Sequence, residues 1–286
     1  MSIVAIVNGK AGRAKPFRLS IPAEVLETQG PGHAIELTRQ VIKRGARTII
    51  AVGGDGTINE VVNGFFENEK MISTDAELSI VPRGTGSDFV RVLNRTVPGG
   101  DRRMIDLMKV GYTTIDGRSE VRYSVNITSF GLGGEVADRV NRSTKLLGGR
   151  IAFLSAMVQT AWSFQGNSVT LQFDNSTTVQ ARIIHVAVGN GQYHGAGMWV
   201  CPGAMIDDGS LDVTVVRYLT LPELLKSLPT LYNGAIYSHP KVESHRVKQI
   251  KAESKERVVV EIDGEPSGYL PIEISVLPKA IRVWVP

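Results

Sequence analysis

Cysteine is almost missing from this chain. Cys201 stands alone among 286 residues, so no internal disulfide can form and a reducing compartment fits. The five histidines are scattered, with no pair at metal-ligand spacing and no HExxH segment. A G-x-S-x-G segment is absent too, which leaves a hydrolase triad without support. Long apolar runs are lacking. The nearest to one, LLGGRIAFLSAMVQTAWSF, is broken by Arg150 and Gln159, so no transmembrane span is expected. The opening MSIVAIVNGKAG has no charged leader before its apolar run, so no secretory signal is expected. A large charge excess is missing as well: net charge is +4 with pI near 9.2. That mild basicity suits anionic substrates or an anionic membrane surface and is too weak to suggest nucleic acid.

What is present is ample apolar material. A 42% apolar share supports a sizeable core, and the length suits two domains or one large one. The first third alternates strand and helix signals. SIVAIV, RTIIAVG and LSIVP read as strands. AEVLETQG, AIELTRQVIKRG, INEVVNGFFENE and SDFVRVLN read as helices. Such alternation predicts a parallel sheet with its ligands beyond the carboxyl ends of the strands. After about Gly117 the texture becomes short, β-branched and partly alternating, as in an antiparallel β domain. Two helical segments interrupt it, at 144–164 and 222–233.

Two glycine-rich loops, GGDGT and RGTGSD, fall at strand ends in the first third. Glycine lets the backbone approach a phosphate, and the following helix offers free N–H groups. Asp55 inside the first loop is either a cap or an acid that meets phosphate through a cation or water. In the second loop Ser87 suffices to cap the helix, so Asp88 is spare. Asp106, in MIDLMKV, is a third acid, and three acids converging on one sheet edge would suit Mg2+. MIDDGSLDV and EIDGEP each carry Asp-Gly, a hairpin signal. His194 reads as a solvated or capping residue, and Cys201 as a small buried one. HRVKQIKAESKER, 245–257, is a basic stretch that reads as a solvated strand pair or a contact for an anionic leaflet.

The blocks GGDGTINEVVNG and PRGTGSDFVR resemble the diacylglycerol kinase/sphingosine kinase catalytic-domain family, its bacterial lipid-kinase branch above all. FGLGGEVADRV, VGNGQYHGAGMWVCPGAMIDDGSLDV, EIDGEP and LPKAIRVWVP resemble that family's later motifs in the same order, so nearly the whole chain is covered. The resemblance implies an α/β + β fold. An NAD kinase-like nucleotide-binding α/β domain would span 1–117, completed by 281–286, and a β-sandwich for the lipid acceptor would span 118–280. It also implies ATP with Mg2+, a lipid hydroxyl as acceptor, and a cytoplasmic enzyme in peripheral contact with a membrane surface. A homodimer is compatible with the sequence.

By motif, Asn8, Gly53, Gly54, Asp55, Gly56, Thr57, Glu60, Gly84, Thr85 and Asp88 would hold the nucleotide. Asp55, Asp88 and Asp106 would surround its metal. A structural Mg2+ would take the Asp208 side chain and the carbonyls of Met205 and Ser210. Asp263 matches the family's proposed catalytic aspartate and is the candidate base for the acceptor's proton, and Glu265 lies two residues on. The chain departs from the family at Asn8-Gly9, where Asn-Pro is usual, and at Ser87, where Asn is usual. Two other readings stay open: an NAD kinase-like enzyme with a soluble acceptor, and a regulator that binds nucleotide or lipid without catalysis.

Overall fold

The computed structural model describes residues 2–9, 19, 21–83, 87–136, 159–160, 162–174, 177–195 and 197–285. The chain opens with β1 (Ile3–Val7), β2 (Glu24–Glu27), α1 (His33–Lys43), β3 (Thr48–Gly53) and α2 (Asp55–Gly64). A small hairpin of β4 (Phe66–Glu67) and β5 (Lys70–Met71) precedes β6 (Glu77–Pro82) and α3 (Asp88–Thr96). Strands β1 and β3 carry continuous apolar runs, and β6 is buried at its centre with only Ser79 interrupting Leu78–Val81, the pattern of a parallel sheet covered on both faces. They pair in parallel in the order β2-β1-β3-β6. The first core lies between this sheet and the three helices, around Ile6, Ile49, Phe65, Leu78 and Phe89.

AEVLETQG, expected as a helix, is instead the edge strand β2, paired along β1 from Val4↔Glu24 to Val7↔Glu27. Its four residues cannot sustain a helix without an apolar face to bury, and the open edge of β1 supplies backbone partners. The expected helix INEVVNGFFENE begins earlier, at Asp55, and stops at Gly64. Gly64 is required where it stands: a Cβ there would lie 2.4 Å from the Thr38 Cβ, so α1 and α2 cross in close contact.

The second half contains β7 (Arg102–Thr114), β8 (Ser119–Ser124), β9 (Ile127–Gly131), β10 (Asn167–Phe173), β11 (Thr177–Gly189), β12 (Tyr193–His194), β13 (Met198–Trp199) and β14 (Leu211–Arg217). Then come α4 (Leu221–Ser227), α5 (Thr230–Asn233), β15 (Val242–Val247), β16 (Gln249–Glu253), β17 (Val259–Ile262) and β18 (Glu265–Trp284). These strands pair antiparallel around a second core that includes Phe130, Leu171, Val213, Val260 and Ile274. The helix expected over 222–233 is two short helices, α4 and α5, parted at Leu228–Pro229 because proline cannot extend the first of them. The segment expected over 144–164 lies almost wholly outside the described residues.

Strand β18 joins the two cores. It pairs with β17, β16 and β7 in the sandwich, and its end, Arg282–Trp284, runs parallel to Glu77–Ser79 of β6. The architecture is therefore an α/β unit plus a β-sandwich sharing one long strand.

Candidate active site

The first glycine loop follows β3. Gly53 has no room for a side chain, since a Cβ would sit 2.4 Å from Thr57 Oγ1. Asn8 Nδ2 donates to that same Thr57 oxygen at 3.2 Å. Gly54 caps α2 without a side-chain hydrogen bond, so the helix's first N–H groups are presented at the strand end.

The Asp55 carboxylate accepts from the backbone N–H of Asp88 and of Phe89, both at 3.3 Å. It therefore caps α3, the role expected of Ser87. Ser87 cannot serve because its backbone is left-handed, φ 50°, and its side chain makes no cap bond. Burial pushes the Asp55 carboxyl above the ordinary range. The neighbouring Asp88 adds to this, Asp263 adds less, and the α3 N–H groups pull the other way.

Asp263 comes to the same place from the opposite end of the chain. The hairpin between β17 and β18 has positive φ at both turn residues, 47° at Asp263 and 91° at Gly264. The Asp263 carboxylate accepts from Asn59 Nδ2 at 2.7 Å, from Ser124 Oγ at 2.7 Å, and from the N–H groups of Val125, Asn126 and Ile127 at 2.9–3.1 Å. Burial pushes this carboxyl up against the pull of those donors. Glu265, two residues on, is exposed and lies over the start of α2: a Cβ on Gly56 would stand 3.3 Å from its Oε1. Residues some 200 positions apart thus face one another across the junction of the two units.

Asn59 and Asn63 make this junction, and neither was singled out from the sequence. Both Nδ2 groups donate to Tyr123 O, Asn63 Oδ1 accepts from Tyr123 N, and Asn59 Oδ1 accepts from Arg122 Nε at 2.9 Å. A signal existed. Two asparagines four apart share a helix face, and asparagine disfavours a helix interior unless its amide is engaged.

His194 is not solvated, contrary to expectation. It is buried, with Nε2 3.2 Å from Oε2 of the fully buried Glu261. Glu261 also accepts from Ser129 Oγ at 3.0 Å and from Gly264 N–H at 2.6 Å, which ties it to the turn carrying Asp263. Burial opposes a charge on His194, yet Glu261 beside it, with Asp88 and Asp263 further off, pushes it up to about 9. The ring also lines an apolar pocket enclosing about 820 Å3, open mouth included, walled by Leu132, Ile184, Val200, Leu224, Leu228 and Ile236 among others. Cys201 is buried as expected, and its thiol is pushed up to about 12 by that burial.

Three expectations for the acids need correction. Asp106 is fully buried, with Oδ2 accepting from Gly209 N–H at 2.6 Å and Oδ1 from Lys279 N–H at 2.7 Å. It pins the Gly209 turn and Lys279 of β18 to β7, so each of its oxygens is engaged by backbone. Glu60 accepts from Gly32 N–H and Ala34 N–H at 2.9 and 3.1 Å, which caps α1. Asp208 accepts from Ser210 N–H at 3.0 Å and is ion-paired with Arg246. MIDDGSLDV is a turn leading into β14, which pairs with β11 and β15. With Arg246 already meeting the Asp208 charge, Met205, Asp208 and Ser210 as arranged do not fit a cation.

Among the described residues no three His, Cys, Asp or Glu side chains are grouped to hold a metal ion. The pair Asp55 and Asp88 does fit one shared with phosphates, because burial and then Asp88 raise the cost of ionising Asp55 and a cation would relieve it. Gly84 and Thr85 of the second glycine loop lie outside the described residues.

An NAD kinase-like α/β unit joined to a β-sandwich, with acids at the join and an apolar pocket in the sandwich, defines a class of small-molecule kinase fold. The chain belongs to the family described as "YegS C-terminal NAD kinase beta sandwich-like domain", matched over residues 126–285, with "Diacylglycerol kinase catalytic domain" matched over 2–116. Among curated relatives, a probable lipid kinase YegS-like of Xanthomonas oryzae pv. oryzae is 29% identical, covering 98% of this chain and 95% of that protein. A diacylglycerol kinase of Staphylococcus carnosus is 27% identical, covering 91% and 83%. A solved putative diacylglycerol kinase of Bacillus anthracis superposes with TM-score 0.76 at 24% identity, over 100% of this chain and 97% of that one. Yeast NADH kinase solved with NADH superposes with TM-score 0.52 at 13% identity, over 99% and 82%. At these identities the two solved structures establish shared fold.

Proposed function

We propose that the protein is an ATP-dependent lipid kinase, transferring the γ-phosphoryl group to a hydroxyl of a diacylglycerol-like lipid. The observation that carries this reading is continuity. An apolar pocket of about 820 Å3 is joined, through His194 and Glu261, to the turn bearing Asp263 and Glu265, which faces the glycine loop. Gly53–Thr57 and the start of α2 receive the phosphates. Mg2+ held by Asp55 and Asp88 would neutralise phosphate charge. Glu265, exposed over Gly56, receives the acceptor's proton. Asp263, the base expected from the sequence, instead holds the turn in place, because its oxygens are filled by donors.

The lipid is reached at a membrane surface. Leu225 and Tyr232 stand 42% exposed on the helices that wall the pocket, and Trp162, 77% exposed, lies two residues from Phe164, which packs on the same cluster. Aromatic and aliphatic side chains of this kind suit a headgroup boundary. The basic stretch 245–257 would add attraction to an anionic leaflet. No described helix is long and apolar enough to cross a membrane.

The test is purified protein with labelled ATP, Mg2+ and a total lipid extract, the product identified by mass. A phosphorylated lipid alcohol is expected. Phosphorylation of NAD instead, with no lipid product, would support the NAD kinase-like alternative that the shared fold keeps open.

A further inference from the structure

The Asn59 amide uses its full hydrogen-bonding capacity. Its Nδ2 donates to Asp263 Oδ2 at 2.7 Å and to Tyr123 O at 2.9 Å. Its Oδ1 accepts from Arg122 Nε at 2.9 Å and from Asn63 Nδ2 at 3.2 Å. Two donors and two acceptors are thus matched on a fully buried residue.

These partners leave the amide one workable orientation. Tyr123 O can only accept, and a guanidinium can only donate. Turned over, the amide would set its N–H2 against Arg122 and its oxygen against a carbonyl and a carboxylate. The outer partners are also of opposite charge, Arg122 on the oxygen side and the Asp263 carboxylate on the nitrogen side. The amide dipole lies between them, so each bond polarises and strengthens the other.

The place of this relay matters. Asn59 stands one helical turn beyond Asp55 on α2, on the same face, and α2 begins at the first glycine loop. Asp263 opens the turn that leads to Glu265. Arg122 comes from the sandwich, on β8, opposite Val110 of β7, and is partly exposed. One side chain of β8 therefore holds, through one amide, both the helix of the phosphate loop and the acid turn.

We propose that Arg122 is a positioning residue for phosphoryl transfer and acts through Asn59. The guanidinium orients the amide, the amide holds Asp263, and the Asp263 turn sets Glu265 over the start of α2. Arg122 is assigned no contact with nucleotide or acceptor. It fixes the separation between the phosphate loop and the turn, where a small misplacement costs rate before affinity. The assignment rests on the lipid-kinase reading and deepens it by naming what aligns the two halves of the site.

The test uses the full chain and has two arms. The first is steady-state kinetics with ATP, Mg2+ and 1,2-dioctanoylglycerol in mixed micelles. The second is hydrogen–deuterium exchange without substrates, with thermal melts to establish folding. Arg122→Ala is expected to lower kcat about tenfold or more, with KM for ATP and lipid unchanged. Arg122→Lys, which keeps a donor, is expected to recover part of the loss. Added ethylguanidinium is expected to recover part of it in Arg122→Ala, a response that a merely stabilising arginine would not show. In an Asn59→Ala background Arg122→Ala is expected to cost little more, because the intermediary is gone. Should Asn59→Ala fail to fold, the lysine and ethylguanidinium comparisons carry the test. In the exchange arm, peptides covering 124–127 and 263–268 are expected to exchange faster in Arg122→Ala, with β10 unchanged. Wild-type kcat or wild-type exchange at the turn in a folded Arg122→Ala would overturn the assignment. So would a loss confined to KM, or losses that add in the double variant. A wild type that phosphorylates no lipid would sink the kinase reading, and the exchange arm would still decide whether Arg122 holds the turn.

Discussion

At the scale of single residues, the site is organised by acids doing different work. Asp263 and Glu265 differ in what surrounds them: the first is filled by donors from Asn59 and 124–127, the second is exposed over Gly56. Glu265→Gln is expected to cut kcat by roughly 10²-fold or more while the melting temperature holds, the scale of a lost general base. Asp263→Asn would turn an amide N–H₂ onto those donors and is expected to lower the melting temperature as well as activity. The reverse pattern would exchange their roles.

Asp55 carries charge at a cost, since burial and Asp88 both push its carboxyl up. Asp55→Asn is expected to leave the protein as stable or more stable at pH 7 while abolishing transfer, read by melts and product formation. A clear fall in melting temperature would mean that its cap on α3 outweighs the repulsion.

The buried histidines set a pH profile. His194, raised to about 9, contributes stability that is full below its ordinary value of 6.5 and is lost as pH rises through 9. His185, lowered to about 4, works the other way: the unfolded chain takes a proton below 6.5 that the folded ring refuses, so stability falls from 6.5 toward 4. Melts across pH 4–9 are expected to peak near the ordinary histidine value of about 6.5. His194→Gln is expected to flatten the alkaline limb.

At the scale of elements, the α1–α2 crossing is set by Gly64. A methyl there would meet the Thr38 Cβ at 2.4 Å and Ile35 O at 2.9 Å. Gly64→Ala is expected to destabilise the fold by about 1–3 kcal/mol in urea unfolding, despite alanine's better helix propensity. Thr38→Ala should not rescue it, because the clashing Cβ remains. Helix α2 matters doubly, since its buried face packs under the sheet while Asn59 and Asn63 reach β8 and the Asp263 turn. The sequence marked this helix and its glycine start. It did not reveal that AEVLETQG is a strand, since a four-residue edge is decided by the neighbour it pairs with.

At the scale of the molecule, β18 serves both cores. Its sandwich half pairs with β16 and β17, and its end pairs with β6. Asp106 reinforces this by holding Lys279 N–H on β18 and Gly209 N–H beside β14. A single calorimetric transition is expected, both cores melting together. Asp106→Ala is expected to cost about 2–5 kcal/mol, because two backbone N–H groups lose their acceptor in a buried place. Two separated transitions in the wild type would contradict the coupling.

The sequence by itself determined the fold class, the family and the glycine loop after β3. Those rest on local signals: apolar runs, glycine spacing and motif order, each contained within a short window. It also named Asp263 and Glu265 through EIDGEP. The tertiary structure decided what each acid does, because a carboxylate's role depends on the donors folding brings to it. Asp55 caps a helix 33 residues away, Asp106 pins a turn and a strand, and Asp208 meets Arg246. It alone placed His194 against Glu261 and gave the apolar pocket an end with hydrogen-bonding chemistry. The burial of His194 of β12 against Glu261 of β17 is a long-range event, and no stretch of sequence carries it.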